Sequence, residues 1–359
     1  LSLLVGTFSS PAGEDETRGG GGMTALSYDL VLDSTLSTHT PQSNTNPIKM
    51  RRGFLLLLLL TLPISMILWV SNAFLSTTIG VEVIEPSRWL SATLLPILIA
   101  WRGLQGRSLS FSGAVSGLAV GFLLTLGSYV FFANLLVFFI SSSKATKFLS
   151  SKKRKLEENF KEGGERNWVQ VVCNGGVASL LALFYMMDCG CGEHPIDMIY
   201  NYRSLSCCNG DTWASEIGTV LSIGDPVLIT SLQSVPRGTN GGISLVGLVV
   251  SLMGGFVVGL GHYFTLLMCV SNSIMISAPP QWPIIFVGAI GGLMGSVIDS
   301  VLGATVQFSG IDSEGKIVER PGEGVIPICG SNILDNHAVN LISSLLTALF
   351  LPRVALLIM

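Results

Sequence analysis

The carboxylates that sit where an apolar chain should not have them are the first candidates for chemistry. Asp299 lies inside the apolar run Pro283 to Leu302. Gly291, Gly295, Asp299 and Gly303 fall at i, i+4, i+8 and i+12, one stripe of a helix. The glycines admit a close neighbour and would bury Asp299 against it. An ionisable group at that depth marks a functional site by default. The motif GDTWASEIG, Gly210 to Gly218, adds Asp211 and Glu216. Read as a helix, it puts Asp211 with Ser215 on one face and Thr212 with Glu216 on the next. Carboxylates beside hydroxyls suit Mg²⁺, which takes oxygen ligands and keeps water. The plainer reading makes Asp211 an N-cap. Asp211, Glu216 and Asp299 are the candidate metal ligands.

Asn-Gly-Gly occurs at 174–176 and again at 240–242, each time beside an apolar run. Glycine permits a backbone nest, and a helix N-terminus presents unpaired N–H groups to an anion. Asn174, Gly175, Asn240, Gly241 and Gly242 are therefore candidates for cofactor phosphate, against the ordinary alternative of turn and cap. Asp335, Asn336 and Asn340 in DNHAVN begin the last apolar run and extend the polar patch. His337 reads as a capping or interface residue, and His262 as core or lumen-facing. No Ser-His-Asp or Cys-His spacing appears. The seven cysteines show no CxxC pair with a matching partner, so they read as thiols rather than a zinc site.

These motifs need elements to hold them, and the composition says where those elements lie. Of 359 residues, 49% are hydrophobic and only 12% charged, with 41 glycines. The mean hydropathy is +0.61. A soluble domain carries about 25% charged residues. The net charge of −3 gives no footprint for nucleic acid. The chain is an integral, multi-pass membrane protein: an all-α bundle of seven to nine helices, several short and Gly-rich. Residues 1–49 read as a disordered extension, and 50–359 as the membrane domain. Phe54 to Leu75 reads as an uncleaved first helix, although its basic flank also suits a signal peptide. Trp89 to Trp101 has an aromatic at each end and Arg88 and Arg102 outside, the pattern of a tight crossing. Phe111 to Ile140 is split near Gly127 and Ser128. Val169 to Met187, Ile243 to Val270, Pro283 to Leu302 and Ala338 to Leu351 complete the set. The loop 141–168 holds eight basic residues and is assigned to the cytosol.

SSSKATK, KEGGERNWVQV, GDTWASEIG, GTNGG, GSVIDSVLGA and DNHAVN together resemble the transmembrane protein 19 family of polytopic membrane proteins. The likeness runs from about Phe54 to Leu351. The same broad family includes plant phytyl-phosphate kinase. The resemblance therefore implies Mg²⁺- and nucleoside-triphosphate-dependent phosphoryl transfer to an isoprenoid phosphate among membrane lipids. Such transfer is mainly positioning and charge stabilisation. Asp211, Glu216 and Asp299 would hold metal, Asn240 to Gly242 would cradle phosphate, and Lys144, Lys147 or Arg166 would neutralise the moving group. Asp335 joins these as a catalytic candidate.

One departure bears on the geometry. GDTWASEIG is preceded by IYNYRSLSCCN, polar and short, where the family has an apolar stretch. Without a crossing between Met187 and Ile243, GDTWASEIG and GTNGG lie opposite the basic loop. With a helix completed beyond Gly210, all motifs converge. A transporter with an intramembrane Asp and Gly-broken helices is the rival reading, and a non-catalytic membrane scaffold the third.

Overall fold

A run that is too long for one crossing is broken where the sequence offers a break. In the computed structural model, helix α3 (Phe111–Gly127) stops at Ser128. Ser128 then caps α4 (Tyr129–Lys147) by accepting from the Val130 N–H. The residues described are 47–80, 83–148, 164–194 and 199–358. Residues 1–46 of the expected extension, and the basic run from Lys152 to Lys161, lie outside them. Arg52–Met359 forms one compact unit.

Ten α-helices occur among the described residues. α1 (Pro47–Ile79) begins before the expected boundary at Met50. α2 (Pro86–Gln105), α3 and α4 follow. α5 is Trp168–Cys189, α7 Leu245–Cys269, α8 Asn272–Ser277, α9 Ile284–Val306 and α10 Asn336–Ala355. Among the described residues, six helices are long and apolar enough to cross a membrane: α4, α5, α7, α9, α10 and the Leu58–Ile79 part of α1. The chain is a polytopic helical membrane protein.

The uncertain segment is a helix. α6 (Ile199–Trp213) runs on through a π-turn (Ala214–Gly218) into a final turn (Thr219–Leu221). Asp211 thus lies inside a helix and is not an N-cap. Small residues hold α6 in the centre of the bundle. A Cβ on Gly210 would stand 2.5 Å from the Gly292 Cα of α9, and one on Gly218 would stand 2.7 Å from the Gly247 Cα of α7. Asn209 accepts from the Ser141 hydroxyl of α4 at 2.7 Å and donates to the Gly254 carbonyl of α7 at 2.7 Å. The first residues of SSSKATK thus tie α4 to α6.

α7 and α9 make the most extensive helix pairing in the bundle. Gly255 is its closest point: a Cβ there would meet the Gly288 carbonyl and stand 2.8 Å from the Gly292 nitrogen. Gly255→Val should therefore lower the melting temperature in detergent, because overpacking costs about 1–3 kcal/mol. Gly117→Ala should not, since its methyl would meet only Leu109, at 4.0 Å.

Apolar packing fills the rest. Leu124, Phe131, Ala178, Tyr185, Leu205 and Leu266 join α3 to α7 in one core. Trp89 is buried, donating to the Ser65 carbonyl and hydroxyl at 2.9 and 2.8 Å. Arg88 is buried too, paired with Glu193 at 2.7 Å and stacked over Tyr129. The snorkelling expected of Arg88 gives way to this ion pair. Among the described residues, five short strands decorate the loops. β1 (Val227–Leu228) pairs antiparallel with β2 (Gly242–Ile243). β3 (Ser309–Ile311) pairs antiparallel with both β4 (Ile317–Val318) and β5 (Ile326–Cys329).

Candidate functional site

The ends of the helices that carry the motifs enclose one polar cavity of about 1110 Å³. α5 and the chain before it contribute Arg166, Gln170 and Asn174. α6 and its π-turn contribute Asp211, Thr212, Ser215 and Glu216. α9 contributes Ser296, Asp299 and Ser300, and the start of α10 contributes Asp335, Asn336, His337 and Asn340. The loop before α7 supplies Arg237 and the turn Asn240 to Gly242, and the β4 segment supplies Glu319 and Arg320. The end of α4, the start of α5, the end of α6 and the starts of α7 and α10 all meet there. GDTWASEIG, GTNGG, the Asp299 stripe and DNHAVN therefore lie on the side of the basic loop.

The glycine stripe packs closely as its spacing suggested, while Asp299 itself is half-buried and lines the cavity. Gly291 faces Ser206 of α6 and Leu351 of α10, and Gly295 faces Cys207 of α6. This close fit brings Asp299 within electrostatic reach of Asp211. Ser343 of α10 donates to the Asp299 Oδ2 at 3.3 Å. The π-turn widens α6 where Glu216 sits, so the α-helical facing expected for Thr212 with Glu216 does not hold there. π-turns recur at functional sites.

Arg166 is the cation most firmly built in. Its Nη1 donates to Ser143 at 3.0 Å and its Nη2 to Ser142 at 3.2 Å. Its backbone bridges the α2–α3 loop, donating to the Ser108 carbonyl at 3.1 Å and accepting from the Ser110 N–H at 3.0 Å. Burial pushes its pKa down, and the Glu216 charge opposes that shift. Glu319 lies in the loop over the cavity. Burial pushes its carboxyl up, His337 and Arg320 counter, and Asp335 adds to the rise.

Other candidates take different places. Lys147 donates to the Gly106 carbonyl at 2.5 Å and to Ser108 at 3.1 Å, closing the α2–α3 loop. Lys144 is exposed on α4, and neither lysine lines the cavity. Asn174 is inside α5, whose cap is Asn167, and its amide donates to the Gln170 carbonyl at 2.8 Å. Gly175 lies against Val120. The 174–176 segment is thus no helix N-terminus. In the second motif, Gly241 has φ +78°, which favours glycine. The Asn240 N–H donates to the Ser309 hydroxyl and the Gly242 N–H to the Thr239 carbonyl, both at 3.0 Å. Those two N–H groups hold the turn. Asp335 caps α10, accepting from the Ala338 N–H at 2.8 Å. His262 is core, bonded to Asn134 at 3.0 Å. All seven cysteines are thiols.

The sequence reading missed Arg237 and Arg320. They lie in polar loops, and only the fold brings them to the cavity wall, where Arg237 is paired with Asp225 at 3.7 Å and Arg320 lies beside Glu319. Among the described residues, no three His, Cys, Asp or Glu side chains group closely enough to hold an ion unaided. Two aspartates in reach of each other nevertheless fit Mg²⁺, which is commonly held by one or two carboxylates with water and substrate phosphate.

Comparison with known proteins gives a consistent picture. Residues 94–348 match the family described as integral membrane protein DUF92. Protein PGR of Arabidopsis thaliana is 42% identical over 282 residues, covering 75% of this chain and 96% of that protein. An uncharacterized membrane protein of Methanocaldococcus jannaschii is 27% identical over 210 residues, covering 58% of this chain and 78% of that protein. No solved structure matches. On the extent of these matches, the chain belongs to the DUF92 family of integral membrane proteins.

Proposed function

We propose that this protein transfers a phosphoryl group from a magnesium-bound nucleoside triphosphate to a membrane lipid monophosphate, of the phytyl or polyprenyl class. The convergence of Asp211, Asp299 and Arg166 in one polar cavity at one end of the bundle carries the reading. A transporter would instead set these groups at the middle of the bilayer, open to each side in turn. The likeness to the transmembrane protein 19 family, with its plant phytyl-phosphate kinase, supports the same choice.

The reaction asks little covalent chemistry of the protein. A lipid phosphate oxygen attacks the γ-phosphorus, the bond to the β,γ-bridging oxygen breaks, and the nucleoside diphosphate leaves with that electron pair. The second pKa of a phosphate monoester is about 6, so the attacking oxygen is already an anion at pH 7. No general base is needed. What the site must do is bring two anions together and absorb charge. Asp211 and Asp299 would hold the metal, whose charge draws the γ-phosphoryl oxygens. Arg166 would hold the lipid phosphate, and Arg237 and Arg320 the nucleotide phosphates. The Glu216 charge would favour the Arg166 cation, which Ser142 and Ser143 orient. Arg166, rather than Lys144 or Lys147, is the cation at the transferring group.

The cavity is lined by six carboxylates, at 165, 211, 216, 299, 319 and 335, against three arginines. Alone, that lining repels a nucleotide. Nucleoside triphosphate binding, read by equilibrium dialysis, should therefore fall at least tenfold or so when EDTA replaces Mg²⁺. The decisive assay supplies purified protein with phytyl or polyprenyl monophosphate, Mg²⁺ and each nucleoside triphosphate in turn. Lipid diphosphate is the expected product; its absence with every pair overturns the reading.

A further inference from the structure

A second hollow meets the polar cavity. It is an apolar groove between α2, α3, α4 and α5, walled by Ile99, Gly117, Leu135, Leu136 and Phe139. Arg166, Gln170 and Asn174 line both the groove and the polar cavity. A cation thus stands at the mouth of a slot that is otherwise hydrocarbon. Helices α3, α4 and α5 show apolar side chains to the outside nearby: Val115, Ile140 and Val172 are exposed.

We propose that this groove seats the first carbons of a chain joined directly to the phosphate, so that it selects prenyl or alkyl monophosphates over glycerophospholipids; the inference rests on the phosphotransferase reading above. An amphiphile whose phosphate is paired with Arg166 has its next atoms in the groove. Those atoms meet apolar side chains at once, and burying glycerol ester oxygens there without partners is costly. The volume sets the reach. The groove encloses about 70 Å³, about half the 150 Å³ cavity that holds benzene. It therefore holds only the few carbons beside the phosphate. The remaining chain lies along the outer faces of these helices, in lipid, where its length goes unread.

The width of the slot depends on Gly117. A Cβ there meets nothing closer than Leu109, at 4.0 Å, so a methyl is accommodated by the fold, and because Gly117 lines the groove a larger side chain would narrow it. The test uses a prenyl monophosphate with a diazirine on the carbons nearest the phosphate, irradiated with the whole protein in nanodiscs without nucleotide. Mass spectrometry should place the label on Phe111–Gly127 and Tyr129–Lys147. Gly117→Leu should reduce labelling about tenfold or more, and Gly117→Ala much less. Dodecyl phosphate should compete, and phosphatidic acid should not. Label elsewhere, labelling indifferent to Gly117→Leu, or equal competition by phosphatidic acid overturns the groove assignment. Labelling in the groove without diphosphate formation in the kinase assay sinks the phosphotransferase reading alone. Turnover without groove labelling sinks the groove alone.

Discussion

Asp299→Asn should slow lipid-phosphate phosphorylation by about 10²–10³-fold, the usual cost of losing one preorganised charge contact, with the melting temperature nearly unchanged. The substitution keeps size and keeps an oxygen for the Ser343 hydroxyl, which reaches Asp299 at 3.3 Å. It removes only the charge. Relief of repulsion between Asp299 and Asp211 offsets part of any stability loss, since each lies in the other's field. Asp211→Asn should act similarly. The double variant should be little worse than either single one, because the two would hold one ion and residues acting as a unit are not additive. Turnover measured against Mg²⁺ concentration checks this. Both single variants turning over within about threefold of the unaltered protein would refute the metal assignment.

Arg166→Ala should raise the KM for the lipid phosphate and cost about 10²-fold in kcat/KM. Arg166→Lys should recover little. The guanidinium spans Ser142 and Ser143 with two nitrogens, at 3.2 and 3.0 Å, and an ammonium cannot reproduce that fork. Stability should fall as well, because the Ser142 and Ser143 hydroxyls lose the guanidinium that donates to them and Glu216 loses an opposite charge. The KM for nucleotide, set elsewhere in the cavity, should stay near the original. A lysine variant with normal kinetics would show that Arg166 supplies charge and nothing geometric, and an alanine variant with normal kinetics would remove it from the phosphate site.

Much of this arrangement is legible in the sequence where lipid is the surrounding medium. Helices facing lipid must be apolar, and their runs were readable, as was the break at Gly127 and Ser128. The Asp299 stripe was readable for a related reason: a glycine every fourth residue has few uses besides close packing. α6 was the difficult element. Its residues Ser204 to Gly210 are all buried, yet they include Ser204, Ser206 and Asn209. Its neighbours are other helices, so small polar side chains that hydrogen-bond inward serve as well as apolar ones. A hydropathy scale calibrated on lipid contact misses such a helix.

The site was legible in its acids and less so in its bases. A carboxylate in an apolar run has no cheap explanation, so Asp299 announces itself, whereas Asp211 had the cheap one of a helix cap and stood out only beside Glu216 in its motif. A lysine at a helix end has a cheap one, and Lys147 indeed closes a loop. Arg237 and Arg320 come from loops far apart in sequence and meet the site only through the strand pairing around them. Asn174 misled because Asn-Gly-Gly has the same letters in a turn and inside a helix; the capping box formed by Asn167 and Gln170 decides which it is.

The π-turn in α6 has an arithmetical consequence. Gly210 and Gly218 are eight positions apart, and each must face the α7–α9 pair. At about 100° per residue, an unbroken α-helix would turn the second glycine nearly a quarter circle from the first. A π-turn takes in one extra residue without advancing the spiral, so the eight positions act as a heptad and both glycines come round to the same side. The π-turn absorbs the extra residue, so the site gains a position between the two contacts without putting them out of phase. Deleting one residue from Ala214–Gly218 would leave a regular helix with the two glycine contacts, now a heptad apart, still in phase, but would remove the bulge that carries Ser215 and Glu216 at the cavity wall.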